Sequence, residues 1–139
     1  MSALKSIFTA LALSLSAAAF APASFAETTV YAGSDWTNVK QKTQGDWSVV
    51  ERDGAFFVEL GESFKARKAP DLKIFLSKAD ADTRKNKNAI EDAVFVAKLT
   101  SHKGAQSYQL PADVNPADFK TLIIHCEQYT KLWAATPLA

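Results

Sequence analysis

Beyond residue 26 the apolar residues come in short runs separated by turn-forming residues, and no stretch sustains a helical period. In Phe56-Phe57-Val58-Glu59-Leu60, strand alternation puts Phe56, Val58 and Leu60 on one face. Leu72-Lys73-Ile74-Phe75-Leu76 aligns Leu72, Ile74 and Leu76 in the same way. Between Trp47–Val50 and Phe56–Leu60 lies Glu51-Arg52-Asp53-Gly54, and its Asp-Gly pair predicts a tight hairpin. Val94–Leu99 and Gln106–Leu110 flank the polar stretch 100–105 and predict a second hairpin. With Thr29–Ala32, Leu122–Cys126 and Tyr129–Ala134 the pattern predicts an all-β domain, a two-sheet sandwich or flattened barrel of about seven or eight strands.

Two stretches depart from the strand pattern. Ser77 to Asp92 is polar, with Arg84, Lys85 and Lys87 close together, and predicts a long solvated loop. Asn88 with Glu91 three residues on has the form of a capping box, allowing a short helix running into Ala93. Asn115-Pro116-Ala117-Asp118 has the form of a helix start or a single 3₁₀ turn, with Pro at its first position. No internal repeat and no linker divides residues 27–139, which predicts one domain.

Residues 1–26 have the pattern of a cleaved export signal. Lys5 supplies a positive start, Ile7 to Phe20 is uncharged, and Ser24 and Ala26 are the small residues a signal peptidase requires. The apolar stretch is shorter than the roughly 20 residues that span a bilayer. Export is therefore expected, to a periplasm in the first instance, with full secretion as the other destination.

The charge balance then narrows the function. Lys plus Arg is 16 and Asp plus Glu is 15 in 139 residues, so no global excess charge favours nucleic acid or anionic lipid. No Gly-x-Ser-x-Gly elbow is present, and Ser101 and His102 are only neighbours in a polar turn, where His102 is expected to be exposed. Asp80, Asp82 and Glu91 are spaced loosely like a calcium loop, but Arg84 stands where a ligand is needed and Lys85 where the turn needs Gly. Neither hydrolysis nor metal catalysis is indicated.

The single cysteine, Cys126, rules out an internal disulfide and a multi-cysteine zinc site. Alternation along Leu122–Glu127 puts Leu122, Ile124 and Cys126 on one face, with Ile123, His125 and Glu127 on the other, so Cys126 and His125 cannot share a metal unless the strand is bulged there. Three readings of Cys126 stand: a buried thiol filling core space, a redox or cofactor-ligating group, and a disulfide to a second chain.

A further pattern closes on the same residue. Phe64, then Ala69-Pro70-Asp71-Leu72-Lys73-Ile74-Phe75-Leu76, then Lys98-Leu99 and Gly104-Ala105-Gln106-Ser107-Tyr108-Gln109-Leu110-Pro111, then Ile124-His125-Cys126 resembles the electron-transfer domain family called DM-thirteen. The resemblance runs from about Asp46 to Leu138 and is most specific in Gly104–Pro111 and the late cysteine. Two positions differ: Ala69 stands where the family tends to have Gly, and His125 where it often has an aromatic.

The resemblance implies a small, mostly β, extracytoplasmic domain, one often fused elsewhere to DOMON and b-type cytochrome domains. It also implies an electron-transfer role centred on the family cysteine, here Cys126, acting as a bare thiol or holding a prosthetic group such as haem. Haem ligation would be through a thiolate, and without Cys-x-x-Cys-His it would not be covalently attached. Trp36, Trp47, Trp133, Tyr108 and Tyr129 are the aromatic residues available to line such a cavity. A separate redox partner protein is then expected, with the chain a monomer or a cysteine-linked dimer. The reading from a different class is a binding or adaptor module that uses a sheet face or the 77–92 loop, with Cys126 structural.

Overall fold

The structure, a computed structural model, describes residues 26–37 and 43–139, so the expected signal segment lies almost wholly outside the described residues. The described chain is all β, with ten strands: β1 (Glu27–Gly33), β2 (Thr43–Gln44), β3 (Trp47–Arg52), β4 (Ala55–Leu60), β5 (Lys65–Ala66), β6 (Leu72–Ser77), β7 (Val94–Lys98), β8 (Gln106–Gln109), β9 (Thr121–Cys126) and β10 (Lys131–Pro137). Two four-stranded antiparallel sheets, ordered β1-β3-β4-β8 and β10-β9-β6-β7, pack face to face, and β2 with β5 forms a small ribbon. The result is a sandwich and not a closed barrel.

The core follows from alternation. Trp47, Val49, Val58, Leu60 and Tyr108 of the first sheet meet Leu72, Ile74, Leu76, Leu122, Ile124, Cys126 and Ala134 of the second. The predicted β3–β4 hairpin forms: Arg52 pairs with Ala55, and Asp53 (φ 51°) and Gly54 (φ 76°) make the two-residue turn. Positive φ at both central residues is the condition that makes Asp-Gly favourable there. The turn at Pro116–Asp118 also forms, with Asn115 Oδ1 accepting the Ala117 N–H.

Four expectations are corrected. Residues 94–99 and 106–110 do not form a hairpin: β7 is an edge of the second sheet and β8 an edge of the first. The connection crosses from one sheet to the other and is tied down by its own polar groups. The Tyr108 hydroxyl accepts the Thr100 N–H, and Gly104, at φ 86°, donates its N–H to Phe64 O. The second correction is at β10, which begins at Lys131 and not at Tyr129, because residues 127–130 are a turn with Thr130 at φ 50°.

The third concerns the 77–92 segment, which is a cover and not only a solvated loop. It contains two 3₁₀ turns, at Ala81–Thr83 and Asn86–Asn88, and it lies over the outer face of the second sheet. Ala81, Ile90 and Ala93 pack there against Phe75, Ile123 and Ala135. Asn86 Oδ1 accepts the Leu132 N–H, pinning the segment to β10. The fourth follows from this: Asn88 does not start a helix towards Ala93 but closes the preceding turn, its Oδ1 accepting the Lys85 N–H.

β9 is therefore buried on both faces, with all six of its residues enclosed. A central strand of this kind carries a continuous apolar run, as Leu122-Ile123-Ile124 does.

Two glycines separate conformational strain from steric clash. A Cβ at Gly54 meets open space, whereas one at Gly45 (φ 101°) would lie 2.3 Å from Ser63 O. Gly54→Ala is expected to cost about 1 kcal/mol from the left-handed backbone alone. Gly45→Ala should cost several times more, since backbone must move. Urea unfolding midpoints of the two variants test the order, which equal losses would refute.

Candidate functional site

Parts of three stretches that carry the sequence resemblance, Asp71–Lys73, Lys98–Leu99 and Ile124–Cys126, meet at one end of the second sheet. Cys126 ends β9, directly opposite Leu72 of β6 and Lys131 of β10. The backbone continues the junction: Glu127 N–H donates to Asp71 O, and Leu99 N–H donates to Leu72 O. Around it, Lys73 pairs with Glu127 and reaches Asp71 at 3.5 Å, while Lys98 lies 3.8 Å from Asp71. Asp71 thus ties β6 to β7, and Lys73 ties β6 to the turn after Cys126. These contacts hold the Lys73 ammonium above the ordinary lysine range, chiefly through its hydrogen bond to Glu127.

His102 is half-buried and not an exposed turn residue. Its Nε2 lies 3.2 Å from Ala69 N and 3.1 Å from Ala69 O, so it accepts the amide proton in one tautomer and donates to the carbonyl in the other. His102 O accepts the Ala66 N–H. Ser101 Oγ instead donates to Lys103 O, so the two neighbours form no nucleophile–base pair. His102 is a staple holding the 66–69 segment to the 99–105 crossover, a role its polar flanks did not signal.

The Cys126 side chain has no exposed surface and lies within the apolar core with Leu72, Ile124 and Trp133. On the reverse face of β9, His125 is 2% exposed and edge-on to Phe75 at 6.1 Å. The expected separation of the two side chains therefore holds. Among the described residues, no group of three His, Cys, Asp or Glu side chains converges on a metal position.

The aromatic residues do not line a cavity beside Cys126. Trp36 packs edge-on against Trp47 and Phe64 at 6.4 and 6.2 Å, and its Nε1 donates to Gly45 O. Trp133 Nε1 donates to Arg67 O, and Tyr108 serves the crossover. Tyr129 lies in the exposed turn. An open cavity of about 430 Å³ is lined by Ser77, Lys78, Ala79, Arg84, Glu91 and Asp92. Ser77 pairs with Thr121, the opposite end of β9 from Cys126, five residues and roughly 17 Å away. The surroundings of Cys126 do not fit a haem: a macrocycle on this sulfur would need to displace close-packed core side chains of both sheets.

What this end of the molecule offers chemically is one thiol in the inter-sheet core at the end of its strand, with the Lys73, Glu127 and Asp71 charges on the reverse face beside His125. The sulfur has no exposed surface, so it meets an external reagent only after a local opening of the fold. Among the described residues no helix is long and apolar enough to cross a membrane.

No curated protein and no solved structure gives a significant match to this chain. A family model described as "Electron transfer DM13" matches residues 35–138, from Asp35 before the first core tryptophans through the whole of β10. The three converging stretches around Cys126 all fall within that match. The chain belongs to the electron transfer DM13 family.

Proposed function

We propose that this chain is an exported electron-transfer module whose redox group is the bare Cys126 thiol. The observation that supports this reading most directly is that parts of three family-patterned stretches, Asp71–Lys73, Lys98–Leu99 and Ile124–Cys126, meet at the one cysteine in the sequence. That cysteine is the last residue of its strand, beside a turn, and turns open more readily than strand centres.

A single thiol can relay an electron pair between a thiol donor and a disulfide acceptor. Cys126 Sγ attacks one sulfur of the acceptor, the acceptor's S–S bond breaks, and its leaving sulfur takes the proton. One thiol of a donor dithiol then attacks Cys126 Sγ, and the second acceptor sulfur leaves as a thiol. The donor's other thiol attacks its own sulfur in that mixed disulfide, closing the donor disulfide and returning Cys126 as a thiol. The net change oxidises the donor dithiol to a disulfide and reduces the acceptor disulfide to two thiols, so both partners are thiol–disulfide carriers, separate from this chain.

The complete burial of Cys126 favours a second reading, a binding or adaptor module in which the thiol only fills the core.

Native-state thiol titration separates the two. On the first reading a thiol reagent labels folded protein measurably, about a hundredfold or more slower than in denaturant but faster than global unfolding. Cys126→Ser abolishes thiol–disulfide relay while the fold persists. Labelling only at the global unfolding rate, with relay unchanged in Cys126→Ser, supports the adaptor reading and overturns the first.

Protein exported from haem-replete cells is expected to show no Soret band, oxidised or reduced. A band that disappears in Cys126→Ser would reverse the haem conclusion. For export itself, a full chain produced with residues 1–26 intact should be recovered with a mass beginning at Glu27. Retention of the uncleaved mass in the membrane fraction would refute cleavage.

A further inference from the structure

His125 is enclosed as fully as the core leucines, yet neither ring nitrogen has a hydrogen-bond partner. A buried imidazole normally bonds through at least one nitrogen, because leaving both unpaired costs the desolvation of each. It lies on the outer face of the second sheet, edge-on to Phe75, the face on which the cover packs. His125 is paired across the sheet with Lys73 and Leu132, and the Leu132 N–H is the group that Asn86 of the cover holds at 3.1 Å. The cover's remaining grip on this face is the small apolar contact of Ala81, Ile90 and Ala93 with Phe75, Ile123 and Ala135. At its root the segment is fixed by Thr121 Oγ1, which donates to Ala79 O at 2.7 Å, and by Lys120, 3.4 Å from Asp80. Beyond that root, a few small side chains and one hydrogen bond hold residues 81–93 on the face that carries the unsatisfied histidine.

We infer that residues 81–93 form a proton-gated cover, closed on the outer face of the second sheet while His125 is neutral and released from it when that imidazole takes up a proton.

The charges around His125 bear on the sign. From its own turn Glu127 favours the protonated form, as does Asp71 beside β6, and Lys73 of β6 opposes it. From β10 the opposing residue is Leu132, which is uncharged, and Lys131 beside it is exposed. From the cover the tied residue is Asn86, also neutral. Arg84 is turned onto Asn88 O and Thr83 Oγ1, and Lys85, Lys87 and Glu91 are exposed. Burial outweighs the two carboxylates and holds His125 below the ordinary histidine range. The closed state therefore keeps its full stability above the ordinary histidine value of about 6.5 and loses it as pH falls below that value. In that interval the open population rises about tenfold per pH unit until the closed-state histidine itself titrates.

Release would bare Phe75 and Ile123 next to Phe95, which is already 49% exposed at the sheet edge. An acidic compartment would then present an apolar strip that a neutral one keeps hidden.

Amide exchange of the full chain tests this. The protection of the Leu132 N–H, referred to the unfolded-chain exchange rate at each pH, should fall as the pH drops below about 6.5, by up to about tenfold per unit, and level off where His125 itself titrates. The Val58 N–H, deep in the other sheet, should hold its protection over the same range. In His125→Phe the Leu132 protection should be flat with pH. Should that variant not fold, the ring resonances of His125 in the wild type give the second readout. Their titration should sit below the ordinary histidine value and coincide with a change in the resonances of Ala81 and Ile90. A parallel fall of Val58 would show global unfolding and overturn the cover. So would a pH-independent Leu132, an equal fall in His125→Phe, or a His125 titrating near 6.5 with the cover undisturbed.

Discussion

Everything in this domain depends on the pairing of β6 with β9 at the centre of the second sheet. Leu72–Cys126, Ile74–Ile124 and Leu76–Leu122 face the other sheet, while Lys73–His125 and Phe75–Ile123 face outwards. A strand in this position has no access to water for its backbone, so its N–H and C=O groups must find partners in the two neighbouring strands. That requirement sets the register of β10 and β6 together. A slip of one residue would bring His125 into the core and push Cys126 beneath the cover.

The same geometry makes Cys126 and His125 neighbours in sequence and strangers in space. One lies in a close-packed apolar core, the other between a sheet and a thin polar segment. Each is sealed, but by different means. Cys126 is closed off by the packing of two sheets, while the Lys73–Glu127 and Asp71 ion pairs lie on the other face of β9. His125 lies on the face covered by a segment with few apolar contacts. Chemistry at either residue begins with a local opening, and the two openings involve different parts of the chain.

Much of the fold was legible because local rules and tertiary demands agreed. The Asp53-Gly54 turn, the strands on either side of it, and the Asn115 cap are each specified by a few adjacent residues whose backbone preference is strong. The crossover between β7 and β8 was not legible. Two apolar runs separated by six polar residues describe a long hairpin and a sheet-to-sheet connection equally well. The decision rests on the free edge of β4 and on Tyr108 closing back onto Thr100, both of them remote in sequence. His102 is a similar case: nothing beside it marks it as the partner of Ala69, 33 residues away.

Amino-acid order alone determined the all-β class, the alternation of faces in most strands, and that Cys126 shares a face with Leu122 and Ile124, because alternation and turn chemistry act over a few residues. It also carried a signal about the cover that alternation masked. Leu122-Ile123-Ile124 has no polar residue to present to water, so both faces of β9 needed covering. Which segment supplies the second cover was decided by tertiary structure. Residues 77–92 are polar on average, and only the folded chain brings Ala81, Ile90 and Asn86 together over Phe75, Ile123 and β10. Burial of a histidine without partners is likewise a property of the assembled layers, since it depends on what three separate segments leave room for.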